Sequence, residues 1–514
     1  MKIHLKDQVL LVTHVQQLDE QGGSILHRQI LEELPKATVR VEIDLSQVTS
    51  VDGTGLSKLV SIQKAIRKQA NLNPSLHLIK PSAPVMQMLR LTRMERNFTI
   101  VNGSNPQQKR KKKALLPLFV FVDACGWEIL KEDPFADQQA PFRRKLKSVF
   151  GYSSACIPSI LSGRWPVDTR NWCYFVRDPG NSPFRSLKSL GWLPRAVTSR
   201  RIFRRWLSKF IRGPLKFRGY FDLYNIPFRH IGLFDFTEKK NPLEPKGLNK
   251  GPNIFDHLTD AGIPYHVSVP TRPEFENLQA LDADIASEAI DFAFLYWPAL
   301  DGLMHETGNQ SPRISDKLRE YEKWLDQLMA TARNHYEDVE LYVFSDHGMA
   351  NCDHLLDLKA RINALSLRMP QDYTVVYDST MARFWFANDT ARAAITACLD
   401  GVNNGRILGD AELESLGTLF PDRYFGEMIF LADEGVLIVP SDMGERPLRG
   451  MHGYHPNAPQ SYASMLTNVE NLDATVTDIP HIYKLMVDGA SRAHVANKSE
   501  SAVESRSVEA VVTR

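Results

Sequence analysis

The sequence lacks the features that mark several specialised classes of protein. Its five cysteines are scattered, odd in number and never spaced as CxxC, which argues against a disulfide scaffold and a thiolate zinc site. No run of eighteen apolar residues is present, so no transmembrane helix is predicted. Lys plus Arg (62) nearly balance Asp plus Glu (60), so the net charge of +2 indicates no nucleic-acid partner.

The N-terminal segment MKIHLKDQVLLVTHV alternates polar and apolar residues and contains no apolar core that ends at a small-residue cleavage site. A secretion signal is therefore not expected. Scattered, unpaired cysteines fit a reducing compartment. Together these two features predict a cytoplasmic protein.

What is present is the composition of a folded, multidomain chain. Of the 514 residues, 43% are hydrophobic and 24% are charged, which excludes wholesale disorder. Composition changes at the polar stretch 103–113 (GSNPQQKRKKK) and again after residue 487, where aromatic residues are missing. We predict domains at 1–105 and 114–487, joined by a basic linker at 106–113 and followed by a disordered tail at 488–514.

The first hundred residues alternate strand-like and helix-like patterns. Strands are predicted at 39–46 and 75–79, and helices at 55–68 and 85–94, which is typical of an α/β module. The segment IDLSQVTSVDGTGLSKLV (43–60) resembles the STAS domain of anti-sigma factor antagonists and sulfate-transporter tails. That resemblance implies a small regulatory or partner-binding α/β domain with a protein as its partner.

In STAS domains a strand ends in Asp-Ser-Ser-Gly, and the second Ser is an acceptor of phosphate at the start of a helix. Here the string is Asp52-Gly53-Thr54-Gly55, so Thr54 falls on the acceptor position and Gly53 departs from the pattern. Two interpretations stay open. Thr54 is either a phosphorylation switch at a helix N-terminus or simply the N-cap of that helix.

After residue 115, apolar runs repeatedly end in acidic or imidazole side chains. Buried parallel strands deliver such side chains to one edge of a sheet. Five candidate ligands follow these apolar runs, and a sixth lies in the motif RGMHGYHP. The six residues are Asp123, Asp301, His305, Asp346, His347 and His452. Carboxylates and neutral imidazoles are ligands of zinc and manganese, so the pattern predicts a metal centre.

The segment GYSSACIPSILSGRWP (151–166) offers a nucleophile, because a Gly-Tyr turn is followed by two serines and an apolar helical stretch. The start of that helix would present Ser153 beside the metals, with helix N–H groups facing an incoming anion. Ser154 is the alternative nucleophile.

These motifs together resemble the alkaline phosphatase superfamily, notably its nucleotide pyrophosphatase/phosphodiesterase branch. Ser162-Gly163 matches that branch's hydroxyl-Gly step, and Ser153 stands ten residues before the glycine. The resemblance implies a mostly parallel sheet flanked by helices and two divalent metal ions, zinc or alternatively manganese. It implies that Asp301, His305 and His452 hold one metal and that Asp123, Asp346 and His347 hold the other, with Ser153 as nucleophile.

The implied reaction is two-metal hydrolysis of a phosphate ester, with a phosphodiester or pyrophosphate bond favoured. Three carboxylates against two divalent cations leave one positive charge, which suits a phosphate group. The branch's phosphate-binding Asn has only a displaced counterpart in Asn171, so no such side chain is assigned. The expected substrate is a phosphorylated small molecule, lipid or glycan.

Segment 200–221 contains eight basic residues and no acidic one, interleaved with aromatic and aliphatic residues. Three interpretations stay open: an interfacial helix on anionic lipid, a cap over a phosphorylated substrate, and an amphipathic helix packed on the domain.

Alternatives for the whole chain are a phosphomonoesterase or phosphotransferase on the same fold, and a regulatory STAS protein with an inert phosphatase-like domain. The intact set of six ligand positions argues against the inert domain.

Overall fold

A computed structural model describes two units of the chain, Met1–Lys111 and Lys112–Arg514. The described residues are 1–6, 9–34, 40–69, 75–92, 94, 98–101, 112–198 and 200–512. The division between the units falls inside the predicted linker 106–113, of which 106–111 lie outside the described residues. Each unit has an α/β architecture.

The first unit is a five-stranded sheet with helices, and the sheet has the strand order β1-β2-β4-β6-β7. Its first pair is antiparallel and the other pairs are parallel. A core of aliphatic side chains such as Val41, Ile43, Leu59 and Leu78 lies between the sheet and the helices. The elements are β1 (Lys2–Lys6), β2 (Val9–Thr13), β3 (Gln17–Leu18), α1 (Glu20–Glu33), β4 (Arg40–Asp44), β5 (Ser50–Val51), α2 (Gly53–Gln69), β6 (Ser75–Ile79), α3 (Ala83–Leu91) and β7 (Thr99–Val101).

Helix α2 begins at the motif predicted to carry a phosphate acceptor. The Asp52 carboxylate accepts a hydrogen bond from the Gly55 N–H at 2.8 Å, so Asp52 caps the helix and Thr54 does not. The interpretation of Thr54 as the N-cap is therefore wrong, and its side chain is exposed in the first turn. A Cβ atom at Gly55 would lie 1.8 Å from the Leu18 carbonyl oxygen, so this position requires glycine.

The second unit is larger and contains the following strands and helices. The strands are β8 (Lys113–Val122), β9 (Phe142–Leu146), β10 (Phe175–Arg177), β11 (Phe234–Phe236), β12 (Tyr265–Val267), β13 (Phe292–Trp297), β14 (Tyr336–Phe344), β15 (Ala350–Asn351), β16 (His354–Leu356), β17 (Tyr373–Tyr377), β18 (Met381–Phe386), β19 (Gly405–Ile407), β20 (Met428–Ala432), β21 (Val436–Ile438), β22 (Gly450–Met451) and β23 (Ala463–Thr467). The helices are α4 (Trp127–Leu130), α5 (Ser153–Ser162), α6 (Pro166–Thr169), α7 (Arg195–Thr198), α8 (Arg201–Arg212), α9 (Phe228–Ile231), α10 (Ile254–Asp260), α11 (Glu274–Ala286), α12 (Ala299–Thr307), α13 (Pro312–His335), α14 (Leu358–Asn363), α15 (Asp389–Asp400), α16 (Asp410–Ser415) and α17 (Ile482–Val512).

A six-stranded, mostly parallel sheet forms the centre of this unit, with the order β12-β13-β8-β14-β23-β9. Strands β12, β13, β8 and β14 are parallel, and β23 runs antiparallel to β14. Strand β8 is buried on both faces, with Phe119 and Phe121 packed on one side and Leu118 and Val120 on the other. Each such side chain contributes roughly 1.5–3 kcal/mol by its burial. This arrangement confirms the predicted fold class.

The C-terminal segment differs from its prediction. Residues 488–514 are expected to be disordered, but helix α17 continues from Ile482 to Val512. Ala490 and Ala493 are buried, and Asn497 donates a hydrogen bond to the Leu115 carbonyl and accepts one from its N–H. The prediction of a disordered tail is wrong. A helix can pack beside a sheet through a narrow stripe of small residues, and such a stripe adds little to the hydrophobicity from which disorder was predicted.

Candidate metal centre

Three central strands end at one edge of the main sheet, and the predicted acidic residues follow their ends. In the register, Val122 of β8 lies opposite Trp297 of β13, and Phe121 lies opposite Phe344 of β14. Asp123 comes directly after β8, and its N–H donates to the Trp297 carbonyl at 3.0 Å. Strand alignment therefore brings residues together that are far apart in the sequence.

The loops after β8 and β14 approach each other through two glycines. A Cβ atom on Gly126 would lie 2.3 Å from the Cα atom of Gly348, so neither loop has room for a side chain there. This close approach holds Asp123 beside Asp346 and His347.

The first group of side chains comprises Asp123, Asp346 and His347, whose ligand atoms all lie within 4.8 Å of one another. The His347 Nε2 atom is 3.1 Å from Asp346 Oδ2 and 3.7 Å from Asp123 Oδ1. The other ring nitrogen, Nδ1, lies 2.9 Å from the Gly348 carbonyl oxygen. Because a carbonyl can only accept, Nδ1 carries a proton, and Nε2 is the ring atom that can bind a ligand once it is deprotonated.

The second group comprises Asp301, His305 and His452, which also lie within 4.8 Å. Asp301 and His305 are one turn apart on α12, and His452 follows the short strand β22. The Asp301 Oδ1 atom is 3.4 Å from His305 Nε2 and 3.6 Å from His452 Nε2. His305 Nδ1 donates to the Gly450 carbonyl at 2.9 Å, which leaves its Nε2 as the ligand atom.

The two groups are neighbours, because the imidazole rings of His347 and His452 stack with centroids 3.7 Å apart. The structure thus brings together all six residues predicted as ligands, in the two sets of three that the sequence implies.

The hydrogen bonds within the centre test whether these side chains suit divalent cations. Asp346 Oδ1 accepts from the N–H groups of Ala124 and His347, and Asp123 Oδ2 accepts from the Tyr296 hydroxyl at 2.5 Å. The remaining oxygens Asp123 Oδ1 and Asp346 Oδ2, together with Asp301 Oδ1, are buried without a hydrogen-bond partner. Buried charged atoms of this kind require a counter-charge, and a divalent cation fits the donor set.

The protonation of these groups reflects the same crowding of charge. Burial and the nearby carboxylates of Asp346 and Asp301 raise the pKa of Asp123 well above its usual range. Burial alone would lower the pKa of His347, but the carboxylates of Asp346, Asp123 and Asp301 raise it to about 10. Burial and the charge of His347 lower the pKa of His452. Neighbouring groups of this buried cluster therefore have pKa values shifted in opposite directions.

Ser153 is the first residue of α5, a ten-residue helix, and its Oγ atom lies 3.0 Å from His347 Nε2. It therefore adjoins the first group. Ser154 differs, because its buried hydroxyl donates to the Trp172 carbonyl at 2.6 Å. That hydrogen bond engages the Ser154 hydroxyl with the backbone, whereas the Ser153 hydroxyl contacts the first group.

Three polar residues near the predicted motifs, Asn171, His354 and His455, lie outside the two groups. The buried amide oxygen of Asn171 accepts a hydrogen bond from the Asn249 N–H. His455 pairs with Glu412 at 3.2 Å, and His354 begins strand β16 with an exposed side chain. Neither histidine belongs to the first or the second group.

Tyr296, Tyr152 and Thr380 contact the centre but are missed by the sequence reasoning. The Tyr152 hydroxyl is 2.8 Å from Thr380 Oγ1, which donates to the carbonyl of Gly453 beside His452. Tyr296 could have been predicted from the sequence. Residues 292, 294 and 296 point to the same face of β13, and Tyr296 is the last of them before the strand end. Tyr152 and Thr380 could not have been predicted, since their contact joins residues 228 positions apart.

Comparison with known proteins agrees with this geometry. Residues 225–455 match the family model of type I phosphodiesterases/nucleotide pyrophosphatases, a range that includes the second group, Asp346 and His347. Residues 3–102 match the model of the Mlab STAS domain. Both resemblances inferred from the sequence are thereby confirmed.

Individual relatives were also compared. A bis(5'-adenosyl)-triphosphatase of Xenopus laevis is 31% identical over 109 residues, which are 20% of this chain and 23% of the relative. The chain therefore matches about a quarter of the length of this curated relative.

Among solved structures, human ectonucleotide pyrophosphatase/phosphodiesterase 5 has a TM-score of 0.52 at 16% identity, covering 74% of this chain and 95% of its own. The murine protein covers the same shares at 16% identity, with a TM-score of 0.51. A second murine structure, in complex with AMP, again has 16% identity and the same coverage, with a TM-score of 0.50. These structural likenesses concern the fold. Residues 225–455 of the second unit are thus similar to the type I phosphodiesterases/nucleotide pyrophosphatases of the alkaline phosphatase superfamily, and the first unit is similar to a STAS domain.

Proposed function

We propose that this protein is a divalent-metal-dependent hydrolase of phosphate esters that uses Ser153 as its nucleophile. The observation that carries the proposal is the pair of three-residue groups beside the Ser153 hydroxyl, with three buried carboxylate oxygens that no protein atom satisfies. The match to the phosphodiesterase family supports the reaction class.

The six residues would form two cation sites of three ligands each. Asp123, Asp346 and His347 would hold the cation next to Ser153, and Asp301, His305 and His452 would hold the other. Imidazole and carboxylate together favour zinc, with manganese as the alternative. When bound, such cations polarise phosphoryl oxygens, lower the pKa of a hydroxyl and offset the charge that develops on attacking and leaving oxygens.

Ser153 performs the covalent step in this proposal. Its Oγ atom loses its proton to solvent and forms a bond to phosphorus while the bond from phosphorus to the leaving oxygen breaks, and that oxygen takes the electron pair and a proton from solvent. Water then adds to the same phosphorus, the bond to Oγ breaks, and Oγ regains a proton. The start of α5 is suited to the phosphate, because first-turn N–H groups and the helix dipole attract anions.

We favour phosphodiester or pyrophosphate bonds as the substrate class. Two relatives support this choice, since one is a bis(5'-adenosyl)-triphosphatase and another was solved in complex with AMP. A phosphorylated nucleotide-like small molecule is therefore our first candidate, and lipid and glycan phosphodiesters are the next.

Hydrolysis of bis-p-nitrophenyl phosphate, p-nitrophenyl phosphate and diadenosine triphosphate tests the proposal. We expect Ser153→Ala to lower the rate on the diesters by about a thousandfold, because it removes the attacking atom. Ser154→Ala is the matched control on the same helix and should stay within about threefold, since its hydroxyl bonds only a backbone carbonyl.

Two further results would decide the class and the metal. Loss of activity in a chelator and its return with zinc or manganese is expected. Equal rates for the wild type and Ser153→Ala would remove Ser153 from the mechanism, and a preference for the monoester would move the protein to the phosphomonoesterases.

We also propose that the STAS unit regulates this activity or binds a protein partner. Thr54 supports this, because its exposed side chain lies in the first turn of a 17-residue helix, where a phosphate would meet both the helix dipole and Asp52. Comparing Thr54→Glu with Thr54→Ala in partner capture and hydrolysis tests the idea, and identical behaviour would contradict it.

We further propose a cytoplasmic location, supported by five free cysteines in a chain without a disulfide among its described residues. Cell fractionation with a tagged full-length chain is the test, and recovery in secreted material would contradict it.

A further inference from the structure

Helix α8 (Arg201–Arg212) of the second unit presents apolar side chains to solvent. Leu207 and Ser208 are buried against the domain, while Ile202, Trp206 and Phe210 on the outward side are 85%, 62% and 67% exposed. Spacing of four residues places these three on one line along the helix, which we name the apolar ridge. Phe203, Leu207 and Ile211 on the inward side pack against the domain, so the apolar ridge is a second apolar face that this packing leaves uncovered.

A second line of basic side chains runs beside the apolar ridge. Arg201, Arg205 and Lys209 share the same spacing and are exposed, and we name them the basic ridge. Within the parts of the chain that the structure describes, no ion pair joins a basic-ridge residue to a carboxylate. Both ridges therefore face the same side of the domain with their charges available.

The charge of the surrounding chain is uniformly positive. Between residues 183 and 221 the sequence contains eleven Lys or Arg residues and no Asp or Glu. A shallow cleft at the end of the helix is lined by Lys209, Lys216 and Arg218, among others. Trp192, which is 80% exposed, lies in the same segment. The three most exposed large apolar side chains of the described residues, Ile202, Trp192 and Phe210, thus occur within one basic segment.

The helix is fixed rigidly to the domain by a buried arginine. The Arg204 guanidinium donates to the carbonyls of Thr198 and Ile226 and lies 4.0 Å from the centre of the Phe228 ring. Ser208 Oγ accepts from the Leu223 N–H. A helix held in this way keeps both ridges outward without paying ordering entropy when a partner binds.

We propose that the second unit docks on anionic lipid bilayers through the apolar and basic ridges of α8. Aromatic and branched apolar side chains enter the boundary between headgroups and acyl chains, and Lys and Arg beside them contact lipid phosphates. No described helix is long and apolar enough to cross a membrane, so the contact is with one surface. This inference goes beyond the proposed hydrolase activity and does not depend on it.

Two other occupants fit the ridges less well. Nucleic acid would use aromatic faces for stacking, but the Trp206 and Phe210 rings already stack on each other, with centroids 5.7 Å apart. A second copy of the chain would bring two basic ridges together, and their like charges oppose that contact.

Sedimentation of the full-length protein with lipid vesicles tests the proposal. We expect at least about tenfold more binding to phosphatidylcholine vesicles with 30% phosphatidylserine than to pure phosphatidylcholine, and a loss of most binding in 0.5 M salt. The double variant Trp206→Ser with Phe210→Ser and the triple variant Arg201→Glu, Arg205→Glu and Lys209→Glu should each reduce binding at least about tenfold. Lipid with brominated acyl chains should quench the tryptophan fluorescence of the wild type, and Trp206→Phe should remove most of that quenching.

Exposed apolar residues elsewhere in the same unit provide matched controls. Phe275→Ser and Leu355→Ser remove side chains that are 47% and 56% exposed and should leave vesicle binding unchanged. Melting temperatures check that each variant folds. Wild-type binding by both ridge variants would overturn the proposal. Oligonucleotide binding without vesicle binding, or a dimer dissolved by the Trp206→Ser and Phe210→Ser changes, would overturn it in favour of nucleic acid or a second copy.

Discussion

Two kinds of buried carboxylate occur in the second unit, and they differ in how many partners the protein gives them. Asp291 has both oxygens occupied, because Lys113 and Asn497 donate to Oδ1 and His494 donates to Oδ2, at 2.7–2.8 Å. Asp123 and Asp346 each have one oxygen held by protein donors and one buried oxygen that makes no hydrogen bond and lies 3.1–3.7 Å from His347 Nε2. The contrast separates a carboxylate whose two oxygens are satisfied within the protein from carboxylates with one unsatisfied buried oxygen.

The pKa values shift in opposite directions for the same reason. Burial alone would raise the pKa of Asp291, but hydrogen bonds from Lys113, His494 and Asn497 lower it. Burial and neighbouring acids raise the pKa of Asp123. An unpaired buried acid is costly, so it persists where function requires it.

Removing the charge of Asp346 should have the largest effect. Asp346→Asn keeps an oxygen that can accept from Ala124 and His347, but it loses the negative charge at the unpartnered position. We expect at least about a thousandfold loss of hydrolysis, equivalent to several kcal/mol of transition-state stabilisation. Mass spectrometry should find one cation fewer per chain at nearly unchanged melting temperature, and full metal content with full activity would contradict the ligand assignment.

Replacing His452 should produce the next largest effect. His452→Ala removes a side chain of the second group, and we expect hydrolysis to fall about a hundredfold as that group loses its cation. His455→Ala is the matched control three residues away, where the imidazole pairs with Glu412. Its hydrolysis rate should change by less than about threefold, because a partly exposed ion pair is worth at most about 1 kcal/mol. A larger effect from His455 would mean that the wrong histidine has been chosen.

Tyr296→Phe removes the hydroxyl that holds one oxygen of Asp123. Outer hydrogen bonds of this kind typically change metal affinity about 10–100-fold, so a chelator competition should show a loss in that range. Tyr336→Phe is the control. Tyr336 is the first residue of β14, so it lies at the other end of the strand from the site, and its hydroxyl donates to the Ile290 carbonyl. Equal metal affinity in the two variants would show that Tyr296 has no orienting role.

Asp291→Asn should have the smallest effect, and only on stability. Because the pKa of Asp291 is lowered on folding, its contribution is complete above about pH 5 and is lost as pH falls below about 3.9. We expect the variant to be about 2 kcal/mol less stable near pH 7 and to converge with the wild type at low pH. Calorimetric melting from pH 7 to pH 3 measures this, and a constant difference across that range would contradict the pairing.

The sequence predicts much of the centre because its ligands follow strand ends. Asp123, Asp301 and Asp346 each stand at or shortly after a continuous apolar run, and parallel strands of one sheet bring such positions to one edge. The close contact between Gly126 and Gly348 and the network of Tyr152 could not be predicted, since both join distant segments through side-chain or backbone fit. Local patterns carry no information on such contacts.

Helix α17 and the cap of α2 show two further limits of pattern reading. The segment after residue 487 has the composition of a disordered tail, yet Ala490, Ala493 and Asn497 recur at helical spacing and pack inward. At α2, both Asp52 and Thr54 are suitable caps, and only the path of the backbone decides between them. In both segments tertiary packing decides the structure, because composition and local sequence are compatible with either alternative.

The stacked rings of His347 and His452 have a consequence for how the centre is assembled. Each ring belongs to a different group, yet their centroids are 3.7 Å apart, so neither imidazole can rotate without displacing the other. The orientation of the His347 ring in the first group therefore restricts that of the His452 ring in the second group. A substitution of either ring therefore also removes a packing surface of the other ring.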